Sequence, residues 1–251
     1  PPEIARIGYR LLRSIDPNAD PYRVIKQKSN RCALRFLGKL RAKITRSKDR
    51  LLAACVLAIA GNIIDFGVKN RLDVKSELKK ILDTESHSIR KRSLFHYMQF
   101  KQALKSSKNI LYLADNAGEV VFDRVLIEEI RQAYPEKTID YAVKAKPVIN
   151  DALIEDARVC GIGKVARILT NGTDAPGTVL ALCSKEFKRI YKAAGMFISK
   201  GQGNFESLSK EKRPIFFLFM VKCSLVAEET GCKMGDTVLL DSTTSAFRRC
   251  R

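Results

Sequence analysis

Asp115 and Asn116 stand side by side after a short apolar run, and a second carboxylate, Asp151, follows the next such run. Two carboxylates and an amide oxygen make a hard, all-oxygen donor set, suited to Mg²⁺ or Mn²⁺ and poor for zinc. Lysines and glycines supply the complementary half. Lys144 and Lys200 can balance oxyanion charge, Gly118 opens a helix whose backbone N–H groups can hold an anion, and Gly201 and Gly203 let a backbone approach a phosphate closely. Taken singly, each element has a plainer reading: Asp115-Asn116-Ala117-Gly118 as an Asx turn and helix cap, Asn150-Asp151 as a cap after Pro147, and Gly201-Gln202-Gly203 as a tight turn. Their recurrence after successive strands favours one site for a phosphorylated small molecule.

The elements that must position these residues follow from periodicity. From residue 108 onward, short apolar runs alternate with longer amphipathic segments, the pattern of βαβ units around a mainly parallel sheet. Strands are expected at 109–114, 138–143, 165–169, 196–199 and 215–221, and helices at 118–133, 151–159, 178–194 and 223–229. In such doubly wound sheets, ligands bind beyond the carboxyl ends of the strands, which is where the residues above fall. Residues 1–107 read as a helical N-terminal unit and 108–251 as the α/β domain. In the helical unit, Ile4, Ile7, Leu11 and Leu12 share one face, as do Ala33, Phe36, Leu37, Leu40 and Ile44. A third helix over 51–64, apolar almost all round, is expected to be buried, with the charged segment 69–106 packed outside it.

Composition narrows the chemistry further. Seven scattered cysteines without C-x-x-C spacing argue against a disulfide framework or a thiolate zinc site, and fit a reducing cytoplasm. The only two histidines, His87 and His96, lie in a Lys/Arg/Ser-rich stretch and read as solvated surface groups, leaving little material for histidine-zinc or Ser-His-Asp catalysis. The chain has no G-x-G-x-x-G after its first strand and no G-x-x-x-x-G-K-[ST], which disfavours dinucleotide binding and P-loop hydrolysis. No apolar run approaches the roughly 20 residues of a membrane span. The formal net charge of +19 favours anionic partners without choosing among phosphorylated metabolites, nucleic acid and a membrane surface.

In series, these motifs resemble the metal-dependent damage-control phosphatases, the domain of unknown function 89 family, and most closely its stand-alone prokaryotic branch. The resemblance is carried by Asp20-Pro21-Tyr22 with Lys26 and Ser29-Asn30, by the run from Gly61 through Asn62 to Asp65 and Phe66, and by residues 115–119, 144–151, 171–177 and 201–206. It implies a helical unit packed on a Rossmann-like α/β/α sandwich, a divalent cation (Mn²⁺, Co²⁺, Ni²⁺ or Mg²⁺), and hydrolysis of small phosphate esters such as sugar phosphates. By matching positions, Asp115, Asn116 and Asp151 are the metal ligands. Lys144, Gly118, Glu119, Asn150, Asp174 and the loop Lys200, Gly201, Gln202, Gly203, Asn204 surround the phosphate, and Asn62 and Asp65 approach from the helical unit. Members of this branch usually begin with a further helical stretch carrying paired cysteines, which does not precede Pro1 here.

The expected mechanism has the cation and Lys144 neutralise phosphoryl oxygens while Asp115 or Asp151 attacks phosphorus directly or orients a water. Two other classes stay open at this point. The +19 charge also suits a nucleic-acid-binding protein, and the sheet layout a carboxyl methyltransferase, although no glycine-rich cofactor turn is present.

Overall fold

The computed structural model describes residues 2–16, 19–61 and 94–244. Its centre is a six-stranded sheet of β1 (Asn109–Leu113), β2 (Thr138–Val143), β3 (Arg167–Thr170), β4 (Met196–Lys200), β5 (Ile215–Met220) and β6 (Thr237–Asp241), in the order β3-β2-β1-β4-β5-β6. The first five strands pair in parallel and β6 runs antiparallel to β5. Strand order reverses between β1 and β4, so connections leave their carboxyl ends in opposite directions, the place where sheets of this kind bind ligands. The β1 run Asn-Ile-Leu-Tyr-Leu is buried from its second residue, because a parallel strand is covered on both faces. Ile110 and Tyr112 enter one hydrophobic layer; Leu111 and Leu113 enter the other.

The first layer holds α2 (Arg23–Leu34), α3 (Leu37–Arg46), α4 (Arg50–Ala60), α5 (Tyr97–Ser106), α6 (Glu119–Ala133) and α7 (Ile154–Val159). Helix α4 is buried along its length, as its all-apolar surface requires. Asp49 caps it, accepting from Leu52 N at 3.0 Å and from the Tyr97 hydroxyl at 2.6 Å. It lies so close to α6 that a Cβ on Gly61 would fall 2.8 Å from the Phe122 ring. The second layer holds α8 (Lys185–Ala193), α9 (Gln202–Leu208) and α10 (Ser224–Thr230), packed on Phe197, Phe217 and Phe219.

Several expectations change. The single segment through residues 33–44 is two helices, broken at Arg35-Phe36. The helix expected over 178–194 starts only at Lys185, where the Ser184 hydroxyl accepts from Phe187 N; 180–182 form one tight 3₁₀ turn. Asn150-Asp151 is not a helix cap, because Asp151 pairs as a β-bridge with Asn116 and the helix starts at Ile154. The residues after Gly201 form α9 instead of an extended loop. Strand β6 was not expected. Helix α5 lies within the segment assigned to the outside, yet buries Tyr97, Phe100 and Leu104. His96 is half-buried, and its Nδ1 accepts from Asp241 N at 3.0 Å; His87 lies outside the described residues.

The amphipathic helix α1 (Pro2–Ile15) turns its polar side to the protein. Its apolar row is exposed, Ile7 at 68%, Leu11 at 66% and Ile15 at 79%, while Arg6 and Arg13, on the opposite side of the helix, turn toward the protein.

Candidate active site at the strand ends

Asp115 and Asn116 leave β1 directly at the reversal of strand order. The peptide chain after β2 is stitched alongside them: Ala117 N donates to Asn150 O at 2.9 Å and Ala152 N to Asp115 O at 2.8 Å. That stitching, with the Asn116–Asp151 bridge, brings the two strand-end carboxylates together although 36 positions of sequence separate them. Asn116 Nδ2 donates to Asp115 Oδ2 and Glu119 Oε1, both at 3.0 Å, which fixes the orientation of the amide.

Gly201, at the end of β4, closes against the same group. Its φ of +78° suits glycine, and a Cβ there would lie 1.9 Å from Asp115 Oδ2. The close approach expected between this glycine and a phosphate is thus made to a carboxylate. Asn204, one turn into α9, ties the strand ends: its Nδ2 donates to Ala114 O and Lys200 O, and its Oδ1 accepts from the Thr178 hydroxyl at 2.7 Å. Gln202 instead reaches the end of β5, donating to Glu206 and Cys223 and accepting from Lys222 N. Gly203 packs against Gly177, whose φ is +67°.

The two site lysines differ in their surroundings. Lys200 is fully buried and donates to Glu119 Oε2 at 3.1 Å and Asp123 Oδ1 at 2.9 Å. Asp123 also accepts from the hydroxyls of Tyr112 and Tyr141, each at 2.7 Å. Burial alone would lower the Lys200 pKa, but Asp123 and Glu119 together raise it. Lys200 therefore commits its ammonium to Glu119 and Asp123 within the protein. Lys144 donates to the Gly177 carbonyl and lies 3.5 Å from Asp151 Oδ2. Among the described residues that Oδ2 has no hydrogen-bond donor, although it is buried.

Electrostatics reflect the crowding. Removal from water pushes Asp115 well above the usual carboxylate range, Glu119 and Asp151 push it further, and Lys200 and Lys222 oppose. Burial raises Asp151 to about 6, moderated by Lys144 and Lys26 and reinforced by Glu119. Among the described residues no three His, Cys, Asp or Glu side chains form a ready metal cluster. The ligand set open to a cation is therefore the mixed one, Asp115, Asp151 and the amide oxygen of Asn116. The mutual repulsion of Asp115, Asp151 and Glu119, and an Asp151 oxygen whose one ion-pair partner among the described residues is Lys144 at 3.5 Å, fit a hard cation there.

Other expected residues lie differently. Asp174 is bound by α1, to Arg6 Nε and Arg13 Nη2, each at 2.5 Å, and Arg13 Nη1 reaches Pro147 O at 2.9 Å. These arginines offset the effect of burial and hold Asp174 below its ordinary pKa. Gly118, with φ +86°, donates its N–H to Asn30 Oδ1 at 2.7 Å, so that donor is already taken. Asn150 contributes its backbone and is half-buried. Asn62 and Asp65 lie outside the described residues. Asp123, Arg6 and Arg13 were not anticipated. For Asp123 a signal existed: a carboxylate one turn after Glu119 in the apolar run of Val120, Val121 and Phe122 must be buried and partnered.

Comparison with known proteins bears on this arrangement. A sequence profile described as the Damage-control phosphatase ARMT1-like domain matches residues 2–238. The chain is 36% identical over 225 residues to a damage-control phosphatase of Pyrococcus horikoshii, covering 89% of this chain and 75% of that protein. It is 33% identical to a damage-control phosphatase of Archaeoglobus fulgidus, covering 87% and 75%. An uncharacterised protein of Methanocaldococcus jannaschii is 38% identical over 247 residues, covering 96% and 79%. The crystal structure of a domain-of-unknown-function-89 family protein from Pyrococcus horikoshii superposes with a TM-score of 0.82 at 34% identity, covering 94% of this chain and 80% of that one.

Proposed function

The chain belongs to the damage-control phosphatase family, and we propose that it hydrolyses small phosphate monoesters, damaged sugar phosphates among them, with a divalent cation held by Asp115, Asn116 and Asp151. One observation carries the reading. Three mutually repelling carboxylates gather at the point of strand reversal, and the Asp151 oxygen nearest Lys144 is buried without a hydrogen-bond donor among the described residues. Such a group costs free energy unless a ligand completes it.

A bound cation, Mn²⁺, Co²⁺, Ni²⁺ or Mg²⁺, would draw charge from the phosphoryl oxygens. The remaining work falls to the chain. Lys144, steadied by the Gly177 carbonyl, neutralises a phosphoryl oxygen. Asn116 commits its Nδ2 to Asp115 and Glu119, which leaves its Oδ1 as the atom that would hold the cation. Hydrolysis breaks the ester P–O bond and forms a new one from water; the ionised carboxylate of Asp115 would take the water proton, and the departing alkoxide oxygen takes a proton in turn to leave as the alcohol.

Replacing Asp151 tests the whole reading. Asp151→Ala should lower Mn²⁺-dependent release of phosphate from a panel of simple esters by about 10³-fold or more, the scale of a removed site ligand. A rate unchanged with Mn²⁺ present overturns the proposal.

A further inference from the structure

Helix α2 buries Lys26, Ser29, Asn30 and Ala33, a stripe of which three members are polar. A helix packing for cohesion alone buries an apolar stripe, so the polarity needs a cause. Part of it is structural. Asn30 accepts from Gly118 N at the start of α6 and donates to Asp156 Oδ1 at 2.6 Å, which binds α2 to both elements flanking the crevice. The Ser29 hydroxyl folds back onto Ile25 O.

Lys26 is not explained in this way. Its side chain is 1% exposed, and its Nζ lies 2.7 Å from Asp20 Oδ2 and 3.9 Å from Asp156 Oδ2. The approach to Asp20 is outside hydrogen-bonding geometry, and among the described residues the ammonium has no hydrogen-bond acceptor. A buried ammonium whose charge is balanced but whose protons are unused is costly, and a ligand oxygen relieves that cost. Asn30, one turn further along α2, holds Gly118 N beside Asp115 and Asn116, and Asp151, whose Oδ2 is likewise buried without a hydrogen-bond donor among the described residues, lies just ahead of the helix that carries Asp156. Lys144 approaches that oxygen from the end of β2. Of these two ammonium groups, Lys144 at the end of β2 and Lys26 on α2, Lys26 has donors to spare among the described residues.

We propose that Lys26 donates to a phosphoryl oxygen of the bound substrate, opposite the charge supplied by Lys144, so that α2 forms part of the phosphate site. Asp20 and Asp156 are then positioning residues that aim the ammonium. The proposal rests on the phosphatase reading of the same crevice and adds a residue from the helical layer to it.

Calorimetric titration separates the two. Inorganic phosphate is titrated into the full chain saturated with Mn²⁺, and Mn²⁺ alone into the apoprotein. The subjects are wild type, Lys26→Met, and Lys26→Met/Asp20→Asn, which leaves no uncompensated charge at the pair. Loss of a charge-assisted hydrogen bond should weaken phosphate binding about 10-fold to 100-fold in both variants. Removal of a neighbouring cation should leave Mn²⁺ affinity unchanged or tighten it. Phosphate binding within twofold of wild type in either folded variant overturns the role of Lys26 alone. So does parallel loss of phosphate and Mn²⁺ affinity, or failure of both variants to fold, since each marks a purely structural cation. A wild-type chain that binds neither Mn²⁺ nor phosphate overturns the phosphatase reading, and Lys26 with it.

Discussion

Two buried polar clusters lie on either side of Glu119, the first residue of α6, and behave in opposite ways. Around Asp123, every side-chain polar atom is matched: two tyrosine hydroxyls and Lys200 meet the carboxylate, and Lys200 passes to Glu119. Around Asp151, a carboxylate oxygen and the Lys26 ammonium lack hydrogen-bond partners among the described residues. A saturated network in a low-dielectric interior fixes geometry, whereas an unsaturated one is incomplete without a ligand. The contrast separates residues of identical type: Lys200 anchors the frame through a fully matched network, whereas Lys144 and Lys26 stand among groups whose hydrogen bonding is incomplete among the described residues.

The sharpest way to break this contrast is to remove the cation from each cluster in turn. Lys200→Met leaves Asp123 and Glu119 buried without their counter-charge and should cost about 3–5 kcal/mol in urea unfolding. Lys144→Met should cost no more than about 1.5 kcal/mol of stability yet lower phosphate release about 100-fold. Equal stability losses would erase the distinction. Next in size, Tyr112→Phe removes one hydrogen bond to a buried charge and should cost about 1.5–3 kcal/mol with KM for a phosphate ester unchanged.

Protonation probes the open cluster without mutation. The folded-state pKa of Asp151 is raised, to about 6, so its contribution to stability is present below the unfolded value and lost as pH rises through about 6. The metal-free protein should therefore gain thermal stability from this group on acidification from pH 7 toward pH 5, while stabilisation by added Mn²⁺ shrinks over the same interval. A stability curve flat across that window with and without Mn²⁺ argues against Asp151 as the unsatisfied carboxylate of the cluster. The smallest effect belongs to α1: Asp174→Asn loosens the Arg6 and Arg13 pairs and should cost about 0.2–1 kcal/mol, a difference that disappears at high salt.

Much of this frame was legible in the sequence, and for a physical reason. Ligand-facing residues of a parallel sheet follow their strands directly, so locating β1 and β2 located Asp115, Asn116, Lys144 and Asp151 as well. Side-chain direction was not legible. Lys200 is the last residue of β4, and only its register against Leu218 of β5 and the presence of Asp123 decide that it points inward. Likewise an amphipathic pattern states that α1 has two sides, not which one meets the protein, and here the arginine side is drawn in by Asp174. Strand β6 escaped because its short apolar run follows Gly235-Asp236 and gains its place only by pairing antiparallel to β5.

The contact between Gly201 and Asp115 sets a mechanical tolerance on the centre. Because the space a methyl group would occupy is already filled by the carboxylate, Gly201→Ala alters no charge, donor or acceptor and yet must displace Asp115 or unwind the start of α9. The smallest substitution in the protein chemist's repertoire is thereby converted into a ruler, one that reports in fractions of an ångström how far the chemistry depends on where that single carboxylate stands.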